Sequence, residues 1–215
     1  RIAEIIINRP DKRNALDPIL IELLTANLLR AEGDENVKTV ILKANGDVFS
    51  AGADLAYMQQ LQHFSYEENL KDSGALKDLF ETIRTLNKIV IAQVEGHAIA
   101  GGCGLATICD IIFAVPEAKF GYTEVKLGFV PAIVSCYLVQ KVGETLAKKL
   151  LISGDLFSAD EALKYNLITY VTKAEEINQI VREFALNLNN SASGNSLMLT
   201  KQLINETSNS WLDSC

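Results

Sequence analysis

Two turns of small residues, Ser50-Ala51-Gly52-Ala53-Asp54 and Ala100-Gly101-Gly102-Cys103-Gly104, have the residue types that let a ligand approach the backbone. Each follows an apolar, β-rich run and leads into a segment that reads as helix. N–H groups at such places lack internal acceptors, and small residues leave them uncovered. Two such turns from distant parts of one chain can aim two donors at one oxygen, which is how an oxyanion formed from a carbonyl is stabilised. Taken singly, a Gly-Gly-x-Gly turn is more often tight strand-to-helix packing. The pair is what points to a site.

Glu124 is the candidate proton carrier. It follows Phe120-Gly121-Tyr122-Thr123 in a stretch otherwise short of charge. A carboxyl in apolar surroundings tends toward a raised pKa and can act as general acid or base. A Glu at a helix start, held by the helix dipole, fits the same position equally well. His97 lies in the apolar stretch Val94–Ala100, where a hydrogen-bonded structural role is the default, and His63 reads as solvated at a polar helix end. The G-x-G-x-x-G spacing fails at Thr107, and there is no phosphate loop, G-x-S-x-G elbow or metal-ligand cluster, so a metal site is not expected.

The elements that must position these residues alternate. Ile2–Ile7 reads as a strand and Arg9–Asn14 as a polar loop. Asp17 before Pro18 makes an N-cap for a helix ending at Gly33. Val37–Leu42 and Ile89–Val94 read as buried strands, with Tyr66–Leu86 helical between them through Leu70, Leu76, Leu79, Phe80 and Ile83. A short apolar helix to Cys109 follows, then a strand at Asp110–Val115 and an extended piece at Phe120–Thr123. Helices are expected at Ile133–Val142 and Glu144–Ile152, and another capped by Ser158, before a last strand at Ile168–Val171. From Ala174 the pattern is helical, broken at Asn189–Asn195. This order predicts an α/β fold with mostly parallel pairing and a single domain with a helical C-terminal part.

Composition narrows the function classes. The chain has 215 residues, 48% of them hydrophobic, which allows a sizeable core. A net charge of −7 argues against binding nucleic acid through its phosphates. No apolar run approaches the roughly 20 residues that span a bilayer, so no membrane partner is expected. Cys103, Cys109, Cys136 and Cys215 lack zinc-like spacing and read as reduced thiols of a cytosol-like compartment. The chain opens without Met inside a strand, so residues are expected to precede it, and a mitochondrial matrix location follows if a transit peptide has been removed.

The ordered motifs resemble the enoyl-CoA hydratase/isomerase (crotonase) family over nearly the whole chain. They are Asn8-Arg9-Pro10 with Asn14-Ala15-Leu16, Phe49 through Leu55, Gly96, Ala100 through Ala106, Cys109-Asp110, Phe120-Gly121 through Glu124, and Leu127-Gly128 with Pro131. The resemblance implies a crotonase-like spiral of ββα units over residues 1–172, followed by a helical trimerisation region at 173–215, the latter expected to be incomplete. It implies acyl-CoA thioester substrates, coenzyme A being part of the substrate so that no separate cofactor is needed, and a homotrimer or a hexamer made of two trimers. It also implies an oxyanion hole from the Ala53 and Gly101 N–H groups, with the nucleotide against Arg13, Ala15 and the segment Ala51, Ala53, Asp54 and Leu55. Loss of one such donor typically costs on the order of 3–4 kcal/mol. Acyl specificity is expected around Tyr57–Phe64 and Pro131–Ser135.

One position departs from the family's two-carboxylate hydratases, which carry a Glu immediately after the Gly-Gly-Cys turn. Here it is Gly104, leaving Glu124 as the single catalytic carboxylate. One carboxylate suffices to move a proton between two carbons, which favours a delta-isomerase. The sequence from Glu124 to Ser135 instead resembles the branch that includes bacterial methylglutaconyl-CoA hydratases. Weighing both, the expectation is a hydratase acting on a 2-enoyl-CoA, ahead of an isomerase, with a non-catalytic or RNA-binding member as a further alternative.

Overall fold

The three segments that carry the candidate chemistry leave three neighbouring parallel strands at their C-terminal ends. The computed structural model describes residues 1–61 and 63–212. In chain order the elements begin with β1 (Ile2–Ile7), α1 (Pro18–Gly33), β2 (Thr39–Ala44), β3 (Val48–Ser50), α2 (Leu55–Leu61) and α3 (Tyr66–Thr85). Next come β4 (Ile89–Val94), β5 (His97–Ile99), α4 (Gly101–Thr107), β6 (Ile111–Ala114), β7 (Lys119–Gly121) and a 3-10 turn at Glu124–Leu127. The chain continues through α5 (Ala132–Val142), α6 (Glu144–Ser153), β8 (Phe157–Ser158), α7 (Ala159–Lys164), β9 (Tyr170–Val171), α8 (Ile177–Ser191) and α9 (Gly194–Leu212).

Among the described residues the strands form two sheets, ordered β1-β2-β4-β6-β9 and β3-β5-β7-β8. Three successive strand pairs, β2–β3, β4–β5 and β6–β7, each send their first member to the larger sheet and their second to the smaller. All pairings are parallel except β7 with β8. Register aligns Ser50 with Ala98 and Ile99 with Gly121, so the chain exits β3, β5 and β7 side by side. Ligand crevices of parallel sheets lie outside such carboxyl ends.

Local chemistry explains the helix starts. The Asp17 carboxylate accepts from Leu20 N at 2.8 Å, with Pro18 at the first helical position. Ser65 with Glu68, and Ser158 with Glu161, close reciprocal capping boxes at α3 and α7. β4 is buried on both faces, as expected for a central parallel strand. The expected strand at 168–171 contracts to β9, because Leu167 and Ile168 still turn back onto the Ala162 carbonyl. The short strands β3, β5 and β8 were not legible as strands. The C-terminal break is also narrower than its polar composition suggested, since the Lys38 ammonium holds the Asn189 and Ala192 carbonyls and carries the chain straight from α8 into α9.

α8 lies on β4 and β6, burying Ile177, Val181 and Ala185, and α9 reaches α3, α5 and β4. Its anchor is Lys201, a buried ammonium that donates to the Ile83 and Lys88 carbonyls and to Asp110 Oδ2, at 2.8, 3.1 and 2.8 Å. Removing one partner of such a cluster leaves groups that lost water without replacement. Lys201→Met is therefore expected to destabilise the fold by about 2–3 kcal/mol, the Asp110 side chain being open enough to regain some solvent. Thermal unfolding should show a drop of roughly 5–10 °C. Cys103, Cys109 and Cys136 form no disulfide among the described residues, and Cys215 lies outside them.

Candidate functional site

The first small-residue turn is strapped to the loop before α1. Leu16 N donates to Gly52 O at 2.7 Å and Asp54 N donates to Leu16 O at 3.0 Å, forming a parallel bridge opposite Ala53. In that pattern the peptide groups of the bracketed residue point away from the partner, so the Ala53 N–H faces outward, and Ala53 is exposed. Gly52 has φ +84°, and a Cβ on it would lie 2.9 Å from both Ala100 Cβ and Ile99 O, and 3.2 Å from Gly101 N. The two turns thus touch through Gly52.

The second turn opens α4. Gly101 is its first residue, where the N–H has no acceptor within the helix. Ala100 before it holds φ 50°, an uncommon conformation for a residue with a Cβ, and its N–H donates to Gly121 O at 2.7 Å. Neither the Ala53 nor the Gly101 N–H has a hydrogen-bond partner among the described residues. Gly102 presses on the first turn so closely that a Cβ there would stand 2.4 Å from Ser50 O.

Of the other residues expected near a nucleotide, Arg13 caps a 3-10 turn at φ 51° with its side chain exposed, and its carbonyl accepts from Ala51 N. Ala15 is buried, and its carbonyl accepts from Arg9 Nη1 at 2.8 Å. Asn14, fully buried at φ 52°, donates to the Asn45 and Val48 carbonyls and accepts from Arg9 N, which fixes the loop's shape. The Asp54 carboxylate serves the start of α2, accepting from the Ala56 and Tyr57 N–H groups, with Arg9 3.8 Å away. Leu55 is the first residue of α2. The turn from Ala51 to Asp54 therefore lies against the loop from Arg13 to Leu16, with Arg13 and Ala53 exposed and Ser50 and Ala15 buried beneath.

Glu124 begins the 3-10 turn after β7, and of the two sequence readings the structure adds burial to the first. Its Oε2 is buried without a hydrogen-bond partner among the described residues. Burial pushes the carboxyl above its ordinary value. Burial chiefly raises the Cys103 thiol and Tyr122 phenol, with the Glu124 charge adding a smaller push, and the Ala100 N to Gly121 O bond joins the segment before Glu124 to the start of α4. Val125, Leu127, Phe129 and Val130 follow it as exposed apolar side chains. His97 accepts from Lys119 N at 3.3 Å and His63 is exposed, consistent with their bland readings. No group of three His, Cys, Asp or Glu among the described residues is placed to hold a metal.

Two features escaped the sequence reading. A Cβ on Gly104 would meet Phe80 Cζ at 2.9 Å, Phe80 Cε2 at 3.0 Å and Val134 Cγ2 at 3.4 Å. The space beside α4 that a second carboxyl would enter is filled by an aromatic ring. Phe80 was legible only as one member of an α3 apolar stripe; nothing in its spacing says what it faces. The second feature is a buried pair of hydroxyls, Thr107 and Tyr122, 2.6 Å apart.

Comparisons with known proteins bear on the family and the fold. The family profile described as Enoyl-CoA hydratase/isomerase matches residues 1–213. A Thermus thermophilus protein with the provisional name enoyl-CoA hydratase is 42% identical over 94% of this chain and 80% of its own length. The crotonyl-CoA hydratase of Syntrophomonas wolfei is 39% identical over 86% of this chain and 71% of its own. A crystal structure from Legionella pneumophila, provisionally named an enoyl-CoA hydratase/isomerase (crotonase), superposes with TM-score 0.91 at 38% identity, covering 95% of this chain and 79% of that one.

Proposed function

This chain belongs to the enoyl-CoA hydratase/isomerase family and has the crotonase fold, and on that premise we propose that it adds water to the double bond of a 2-enoyl-CoA thioester. The observation that carries the reading is the juxtaposition of an unpartnered, buried carboxyl oxygen on Glu124 with α4, whose N-terminal N–H groups are free. The thioester oxygen would accept from Ala53 N and Gly101 N. As water bonds to the β-carbon, its proton passes to the Glu124 carboxylate, and the enolate charge rests on that oxygen between the two donors. Glu124 then returns the proton to the α-carbon, which restores the carboxylate. Names of relatives support this direction, since several are hydratases.

The second reading is a delta-isomerase, favoured by the single carboxylate. With Phe80 in the space beside Gly104, Glu124 must both take and give the proton. Removing a proton from C2 of a 3-enoyl-CoA and returning it to C4 needs no water and uses the same two donors. The CoA nucleotide in either case would lie against Arg13, Ala15 and the segment Ala51–Leu55. The exposed apolar side chains after Glu124, together with α8 and α9, fit a homotrimer or a hexamer. The acidic balance of the chain speaks against an RNA-binding role.

Absorbance of the conjugated thioester decides between the reactions. Given a 2-enoyl-CoA, the protein is expected to remove that absorbance. Appearance of it from a 3-enoyl-CoA, with the 2-enoyl compound unchanged, would select the isomerase. If neither thioester reacts, both readings fail.

A further inference from the structure

We propose that Tyr122 is a positioning residue, whose hydroxyl, acting through Thr107, ties the segment carrying Glu124 to the helix that presents the Gly101 N–H. The proposal rests on the reading of Glu124 and Gly101 above and concerns what holds them at a constant separation.

Tyr122 is fully buried, two residues before Glu124 and one after the end of β7. Its hydroxyl lies 2.6 Å from Thr107 Oγ1, which lies 2.7 Å from the Cys103 carbonyl. Thr107 has one proton, and that carbonyl, four residues back in α4, can only accept. Tyr122 therefore donates to Thr107 Oγ1, and Thr107 donates to Cys103 O. The relay ends in the first turn of α4, two residues from Gly101. Burial pushes the Tyr122 phenol well above its ordinary value, so it keeps the proton this relay needs. Burial likewise pushes the neighbouring Cys103 thiol up to about 12, which leaves it a neutral wall and not a nucleophile.

Filling a core does not require these hydroxyls. A Phe at 122 and a Val at 107 would occupy the same space, and a buried hydroxyl is unfavourable unless paired. Paired in a low dielectric, the two give a directional link that apolar packing lacks. The link matters because Glu124 Oε2 has no hydrogen-bond partner among the described residues and the carboxyl's backbone hydrogen bond is to its own residue, which does not tie it to α4. The carboxyl's place is then set by the backbone anchored two residues earlier. A second tie, Ala100 N to Gly121 O, joins the same two segments at their bases.

The test is steady-state kinetics over pH, with whichever thioester the protein turns over, on Tyr122→Phe, Thr107→Val and their combination, alongside Glu124→Gln. Tyr122→Phe is expected to lower kcat roughly tenfold with KM within about twofold, because a displacement well under an ångström is enough. The acid limb of kcat/KM should move down toward the ordinary carboxylate value as Glu124 relaxes toward solvent. Thr107→Val should do the same, the double variant should be no worse than the larger single, and Thr107→Ser should restore kcat relative to Thr107→Val. If Tyr122→Phe fails to fold, Thr107→Val and Thr107→Ser decide the matter by the same readouts. A lower melting temperature with native kcat and an unmoved acid limb would mean a structural role only and overturns the proposal. Native turnover in Glu124→Gln, or no turnover of either thioester by the wild type, instead overturns the reading on which it rests.

Discussion

Glu124→Gln is expected to lower kcat by about 10²–10⁴-fold while KM stays within about twofold, since the amide keeps the shape but cannot take a proton. Stopped assays with the reacting thioester would check it, and turnover within a few-fold of wild type would rule out Glu124 as the proton carrier. The sign of the pH effect follows from the raised pKa. Catalysis begins from the carboxylate, so kcat/KM should fall as pH drops, with its acid limb above the ordinary value of 4.5. Stability runs the other way. A carboxyl whose folded pKa is raised favours the fold below its unfolded pKa, and that contribution is lost as pH rises through the folded value. Glu124→Gln should therefore melt higher than wild type at neutral pH, with the difference vanishing below about pH 4.5. A residue that lowers stability where it works is the pattern of a functional site.

Gly102→Ala should be nearly as damaging, through the donors and not the base. The added Cβ would lie 2.4 Å from Ser50 O and 2.6 Å from Ser50 Cβ, so α4 and the first turn must separate. Misplacement of one donor by about an ångström costs on the order of 10²-fold in rate, and overpacking adds about 1–3 kcal/mol of instability. The kinetic loss should appear in kcat. Gly74→Ala is the internal control, because nothing lies within 4 Å of a Cβ there, and in the middle of α3 the change should stabilise by up to about 1 kcal/mol. Native kcat in a folded Gly102→Ala protein would detach the Gly101 turn from the chemistry.

Much of the scaffold was legible because local rules decide it. Asp17-Pro18 and Ser158 place helix starts within the chain itself, and the apolar runs read as strands at 37–42 and 89–94 are buried strands, the first shifted to 39–44. The ββ repeat was not legible. Its units begin at Thr39, Ile89 and Ile111, and the long α2–α3 excursion in the first destroys any period. Nor were β3 and β5, three residues each, because so short a strand is defined by its neighbour and not by its own composition.

Resemblance to the family is what singles out Ala53, Gly101 and Gly104. The amino-acid sequence by itself determined which groups are chemically able to act, namely two turns of small residues at 50–54 and 100–104 that can leave backbone N–H groups uncovered and one carboxyl in an apolar stretch at Glu124. These follow from side-chain type and turn propensity, which are local. Tertiary structure alone decided that β3, β5 and β7 lie side by side and bring the three segments to one edge. It also decided that Phe80 fills the space at Gly104, that Tyr122 reaches Thr107, and that Glu124 loses its solvent on one oxygen. Those facts depend on packing between residues far apart in the chain, where close approach and desolvation arise only once the sheets have formed.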